Sequence, residues 1–125
     1  MDTLINRINI LKLKEKAFFE NEFAVYYQPK YNQSTGVLVG AEALSRWNSK
    51  EMGFVSPASF IPIFEEDDTI TKLDLYVFER ICRLLAECKE NKYYLAPISV
   101  NIARRDLFSD GFIEKLDKIT DEYDV

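Results

Sequence analysis

The sequence predicts an α/β fold. Two patterns carry that expectation. Apolar residues at three- and four-residue spacing mark amphipathic helices, and short alternating or β-branched runs closed by glycine, proline or polar residues mark strands. Along the 125 residues their order is helix, strand, strand, helix, strand, helix. A long helix therefore stands between two strands, the connection that joins parallel neighbours with its apolar face on the sheet.

The first helix is read from Leu4 to Phe18, where Leu4, Ile5, Ile8, Leu11 and Phe18 recur near the helical period with Lys12, Lys14, Glu15 and Lys16 between them. FAVYYQPKY, aromatic, β-branched and closed by a proline, is the first strand, and VLVGAEALSRW is the second. The NQSTG loop between them predicts an antiparallel hairpin. Ser56 followed by Pro57 is a helix start, with serine as N-cap and proline in the first turn, so a short helix is expected through ASFIPIFEED, distorted by Pro62. Ile70, Leu73, Val77, Ile81, Leu84 and Cys88 then mark a longer helix. In PISVNIA, Ile98, Val100 and Ile102 alternate with Ser99, Asn101 and Ala103, which predicts a third strand. Phe112, Ile113, Leu116 and Ile119 define a last helix that starts near Ser109 or Asp110.

Composition narrows the chemistry. With 47% hydrophobic residues and no repeat or linker, the chain is sized for one core. Lys and Arg number 16 against 21 Asp and Glu, and no basic block stands out, which argues against DNA or RNA as a partner. Histidine is absent, which removes Ser/His and Cys/His nucleophiles and imidazole-based metal sites. Cys82 and Cys88, six apart in a helical segment, point to different sides and read as core thiols of a cytosolic protein. No apolar run reaches the ~18 residues of a membrane span, and the charged MDTLINRINILKLKEK is unlike a signal peptide, so a cytoplasmic location is expected.

Alternation places Val39, Ala41 and Ala43 on the face that meets helices, as it does Ile98, Val100 and Ile102. Glu42, Leu44, Arg46, Ser99 and Asn101 go to the other face. Glu42 and Asn101 supply one anionic and one neutral oxygen, which suits a hard cation such as Mg²⁺ or Mn²⁺ but makes only a fragment of a site. The other reading is structural: Glu42 pairs with a residue such as Arg46, and Asn101 satisfies loop backbone. At ~3.3 Å per residue, Arg46 lies about 13 Å along the strand, long for a direct pair. Gln28, before Pro29, has an amide placed either for a ligand or for a loop. Glu65 belongs to a loop network or to a solvated helix face. Asp67 and Asp68, beside Glu65 and Glu66, read as a cation site or as a solvated helix end.

YYQPKY, GAEALSRW, SPASFIPIFEE, LDLYVFERIC and SVNIA, in this order and at these separations, resemble the EAL domain of bacterial cyclic-di-GMP phosphodiesterases, named for the tripeptide found here as Glu42-Ala43-Leu44. The resemblance implies the N-terminal half of a TIM-like (β/α)8 barrel with an antiparallel first strand. It implies hydrolysis of cyclic di-GMP to pGpG with two Mg²⁺ or Mn²⁺ ions. Carried over by position, Glu42 and Asn101 match metal ligands, while Gln28, Leu44 and Arg46 match contacts to the dinucleotide, with the Arg46 fork offered to a phosphate.

The sequence departs from the family pattern at Phe64, where the family usually has alanine, near Thr69, where it has glycine, and at Ala103, where it has serine. Length is the larger departure. A complete barrel takes roughly 250 residues, and the further acidic ligands and the lysine near the attacking water belong to strands beyond this chain. Residues 1–17 are therefore read as a lead-in helix or linker and 18–125 as a partial EAL domain with no complete catalytic set, inactive by itself. The alternative is a degenerate EAL module that binds cyclic di-GMP or a protein partner without hydrolysis. A half barrel exposes sheet edges, so a homodimer or the missing second half of the barrel is the expected partner.

Overall fold

The computed structural model describes residues 3–94 and 96–125. Its elements are α1 (Thr3–Phe19), β1 (Phe23–Tyr31), β2 (Leu38–Ser49), β3 (Gly53–Val55), α2 (Pro57–Phe64), α3 (Thr69–Glu90), β4 (Ile98–Val100), α4 (Arg104–Leu107) and α5 (Phe112–Tyr123). The elements expected from the sequence form in the expected order, with the short helix α2 and the long helix α3 both standing between the second and third expected strands, and there are two short additions, β3 and α4. Three or four residues are too few to express a period, which is why neither is visible as a pattern. In the sheet β1, β2 and β3 are successive neighbours, and β4 also pairs with β2. The chain packs as two units. One runs to Tyr26 and takes in Ser45–Ile70; the other comprises Tyr27–Leu44 and Thr71–Val125.

The first unit is organised around aromatic rings. Trp47, Phe60 and Phe64 are fully buried and Phe23 nearly so. The Trp47 ring lies 5.3 Å from Phe23, 5.8 Å from Phe60 and 6.1 Å from Phe64, the last two themselves 5.2 Å apart. Such spacings are those of tilted and edge-on aromatic pairs. The indole N–H of Trp47 donates to Glu22 Oε1 at 3.0 Å, so a carboxylate buried beside the cluster has a partner. Ile10 and Ala17 bring α1 to this core. Ser56 Oγ accepts the Ala58 N–H at 3.2 Å, and Pro57 opens α2, as the sequence predicts. The helix runs through Pro62 to Phe64, although a proline at that position donates no backbone bond. Antiparallel pairing of Trp47, Asn48 and Ser49 with Val55, Phe54 and Gly53 forms the β2–β3 ribbon.

In the second unit, Ala41, Glu42 and Ala43 of β2 pair in parallel with Ile98, Ser99 and Val100 of β4. Parallel neighbours need a long crossover, and α3 lies in that connection. Leu73, Val77, Ile81 and Cys82 of α3 are buried, as is Phe112 at the start of α5. Toward its C-terminal end α3 contributes Leu84, Leu85 and Cys88 to a cavity of about 200 Å³, also lined by Tyr27, Ala41 and Ile98, so the face expected to meet helices does so there. Val39 is the exception. It is 49% exposed, because it precedes the β2 stretch that β4 pairs. At the β1–β2 turn Asn32 Oδ1 accepts the Ser34 and Thr35 N–H groups, and Gly36 takes φ +70°, a left-handed conformation that glycine adopts without strain.

Candidate functional site

Gly40 begins the construction of the site. A Cβ at this position would stand 3.0 Å from the Pro97 carbonyl oxygen, which also accepts the Ala41 N–H at 3.0 Å. Only a glycine lets β2 come this close to the segment entering β4 without a shift. The register that follows sets Glu42 opposite Ser99 and Ala43 opposite Val100, and Asn101 is the first residue past β4. From there the Asn101 amide Nδ2 donates to Glu42 Oε2 at 3.2 Å. Glu42 is half-buried and Asn101 exposed, so the pair opens to solvent. A carboxylate on β2 and an amide just past the end of β4 present oxygen donors together, the donor chemistry of a hard divalent cation.

The other expected site residues are placed as follows. Leu44, in the same unit, is half-buried two positions along β2 from Glu42. Gln28 is exposed on β1, and no side-chain hydrogen bond among the described residues ties it to the Glu42–Asn101 pair. Arg46 belongs to the first unit, where its guanidinium donates to the Ser45 carbonyl at 2.9 Å and lies 5.7 Å from the centre of the Tyr26 ring. Among the described residues no group of three or more Asp, Glu, Cys or His side chains is placed to hold a metal ion. Burial, with a smaller contribution from Glu79, raises the Cys82 thiol above its ordinary pKa. Burial raises the Tyr27 phenol as well, against the opposing charge of Arg80.

The acidic run after α2 is tied to α1. Arg7 forms a forked pair with Glu66, one arm at 2.8 Å. Asp67 Oδ2 accepts from Lys14 Nζ at 2.7 Å, and its Oδ1 accepts the Thr69 N–H at 2.8 Å at the start of α3. Lys16 pairs with Glu51 at 2.6 Å. The bonds from Lys14 and then Thr69 hold the Asp67 carboxyl far below the usual carboxylate range; Arg7 lowers Glu66 and Lys16 lowers Glu51 in the same way. Glu65 caps α2: its backbone N–H donates to the Ile61 carbonyl at 2.9 Å, and the next N–H, of Glu66, to the Ile63 carbonyl at 3.2 Å.

Two carboxylates escaped the reading of the sequence. Asp74 is 7% exposed and Asp106 is fully buried. Asp74 Oδ2 accepts the Ala103 N–H at 2.8 Å, and the Thr71 hydroxyl donates to Asp106 Oδ1 in a short hydrogen bond. The signal for Asp74 was present, since it falls on the stripe of Ile70, Val77 and Ile81, where a carboxylate needs a buried partner.

The family model described as EAL domain matches residues 13–125. Among curated proteins, the cyclic di-GMP phosphodiesterase PA2567 of Pseudomonas aeruginosa is 32% identical over 106 residues, which is 85% of this chain and 18% of that protein. The biofilm architecture maintenance protein MbaA of Vibrio cholerae is 35% identical over 114 residues, 87% of this chain and 14% of MbaA. Among solved structures, the PaMucR phosphodiesterase in its c-di-GMP complex superposes with a TM-score of 0.86 at 22% identity over 94% of this chain and 47% of that one. The FimX EAL domain of Xanthomonas citri with c-diGMP gives 0.79 at 24%, over 95% and 46% respectively. At these identities the structures establish the fold. This chain thus spans about half of those structures and less than a fifth of these two curated relatives.

Proposed function

The chain belongs to the EAL domain family, and from that premise we propose that it is the part of a cyclic-di-GMP phosphodiesterase that brings Glu42 and Asn101 to a divalent metal, Mg²⁺ or Mn²⁺. The observation that carries this reading is the hydrogen bond from Asn101 to Glu42 at 3.2 Å, which gathers the two oxygen-bearing side chains at one open sheet end. They fit a hard cation in kind, and in number they supply two of roughly six ligands. The bound metal would polarise the phosphodiester and lower the pKa of a water. Gln28 and Leu44 contact the dinucleotide, and Arg46 offers its fork to a phosphate.

Two ligands hold such an ion weakly, so the chain alone does not turn over cyclic di-GMP. The remaining ligands and the general base come from the second half of the barrel, in the same polypeptide or on a partner. A homodimer is the other way to cover the open edges of the sheet. Residues 1–17 are the lead-in and 18–125 the partial domain, with the last turn of α1 crossing that boundary. No helix among the described residues is long and apolar enough to cross a membrane, and the proposed location is the cytoplasm.

The test is incubation of the chain with cyclic di-GMP and Mn²⁺, with the linear product resolved by chromatography. No product is expected. Turnover that Glu42→Gln abolishes would overturn the claim that the chain is inactive alone and leave the site assignment standing. Turnover that survives Glu42→Gln would overturn both.

A further inference from the structure

Asn101 is exposed, lies outside β4 and follows a strand of only three residues. Its own strand therefore gives little to set the direction of its amide. The segment after it is fixed from the side by α3. Ala103, two residues on, donates its N–H to Asp74 Oδ2 at 2.8 Å, and Asp106 takes the Thr71 hydroxyl on Oδ1. Within the segment the Asp106 N–H returns to the Ala103 carbonyl at 3.0 Å, so both attachments hold one turn. Thr71 and Asp74 are three apart on α3 and share a face.

These are costly groups to bury. Asp106 is fully buried, and its Oδ2 has no hydrogen-bond partner among the described residues, while Asp74 is 7% exposed on an otherwise apolar stripe. Apolar side chains would pack the same space without that penalty, but they would not accept a backbone N–H. What the carboxylate supplies is direction. We propose that Asp74, with the Thr71–Asp106 pair behind it, is a positioning residue that clamps the segment from Asn101 to Asp106 onto α3 and so aims the Asn101 amide at Glu42. Asp74 touches neither metal nor substrate. Its effect on metal binding rests on the function proposed above, whereas its effect on the Asn101 amide does not.

The experiment compares Asp74→Ala, Asp74→Asn and Thr71→Val with the parent chain. It uses nuclear magnetic resonance of the Asn101 side-chain amide, hydrogen exchange at Ala103, and Mn²⁺ affinity from paramagnetic broadening. Asp74→Ala is expected to speed Ala103 exchange at least about tenfold, to move the Asn101 amide resonances toward those of a free asparagine, and to weaken Mn²⁺ binding about tenfold. Asp74→Asn keeps an acceptor and should stay within about threefold of the parent in each readout; Thr71→Val should shift them in the same direction as Asp74→Ala, by less.

Unchanged Asn101 resonances in folded Asp74→Ala would overturn the proposal, and so would equal damage from Asp74→Asn. Should Asp74→Ala fail to fold, Asp74→Asn and Thr71→Val decide, and parent-like Asn101 signals in Thr71→Val would count against the clamp. If no variant and not even the parent binds Mn²⁺ while the Asn101 resonances move as expected, the metal reading fails and the positioning role stands.

Discussion

Replacing Trp47 by phenylalanine removes one N–H donor and part of one ring from the aromatic core of the first unit. The donor bonds Glu22 Oε1 at 3.0 Å, and Glu22 is 7% exposed, so the substitution leaves a buried acceptor short of its partner. That loss costs about 1–3 kcal/mol. Trp47 also packs within 5.3 to 6.1 Å of Phe23, Phe60 and Phe64, and the smaller ring leaves a void among them. Full truncation of such a residue costs about 3–5 kcal/mol, of which the missing ring accounts for about 1–2. The sum is about 2–5 kcal/mol, or a fall in Tm of about 10 °C or more for a chain of this length. Urea unfolding of the parent, Trp47→Phe, Glu22→Ala and the double variant closes a cycle, and a coupling of about 1 kcal/mol or more is expected. A loss under about 0.5 kcal/mol for Trp47→Phe, with no coupling to Glu22, would refute the view that this bond and this packing hold the unit together.

Acid should loosen the same unit from another side. Asp67 titrates near 4 when unfolded and far lower when bonded to Lys14 and Thr69. Its contribution is therefore complete above about pH 4 and is lost as the pH falls toward the folded value. Glu51 and Glu66 act with the same sign, and Asp67→Asn should flatten the acid limb of the urea midpoint against pH. Gly40→Ala should destabilise by about 1–3 kcal/mol, because the new methyl meets the Pro97 oxygen at 3.0 Å; a neutral result in thermal unfolding would show that the strands separate freely there. Iodoacetamide at pH 8, followed by mass spectrometry, should label half-buried Cys88 well before buried Cys82, whose thiol is pushed up by its surroundings.

What the residues disclosed in advance follows from how each element is specified. α3 carries its apolar residues at a helical period over several turns and buries Ile70, Leu73, Val77 and Ile81 on that stripe. α1 formed over the expected range, but Leu4, Ile5, Ile8 and Leu11 of its expected stripe are exposed and Ile10 and Ala17 are the residues it buries, because the period fixes a helix and not which side finds a neighbour. GAEALSRW was legible as a strand with misplaced charges, and the alternation that sent Glu42 and Asn101 to one face is the reason they meet. The ion pairs from α1 were not legible. Nothing local distinguishes Lys14 from its neighbours, and Asp67 is fifty-three residues away, so the acidic run looked solvated. Val39 shows the converse limit, since alternation assigns a face but cannot say how far the covering element extends. Asp74 left a mark, a carboxylate on the apolar stripe of α3, but its partner, the Ala103 N–H twenty-nine residues on, left none, and Asp106 with its Thr71 hydroxyl lies in a segment too short to show a period.

The most direct test of the site counts Mn²⁺ bound to the chain by electron paramagnetic resonance, comparing the parent with Glu42→Gln and Asn101→Leu. The parent should bind weakly through the paired oxygens, with Glu42→Gln abolishing binding and Asn101→Leu weakening it severalfold. Mn²⁺ binding that persists unchanged in Glu42→Gln would contradict the assignment of Glu42 and Asn101 as the metal-holding part of this domain.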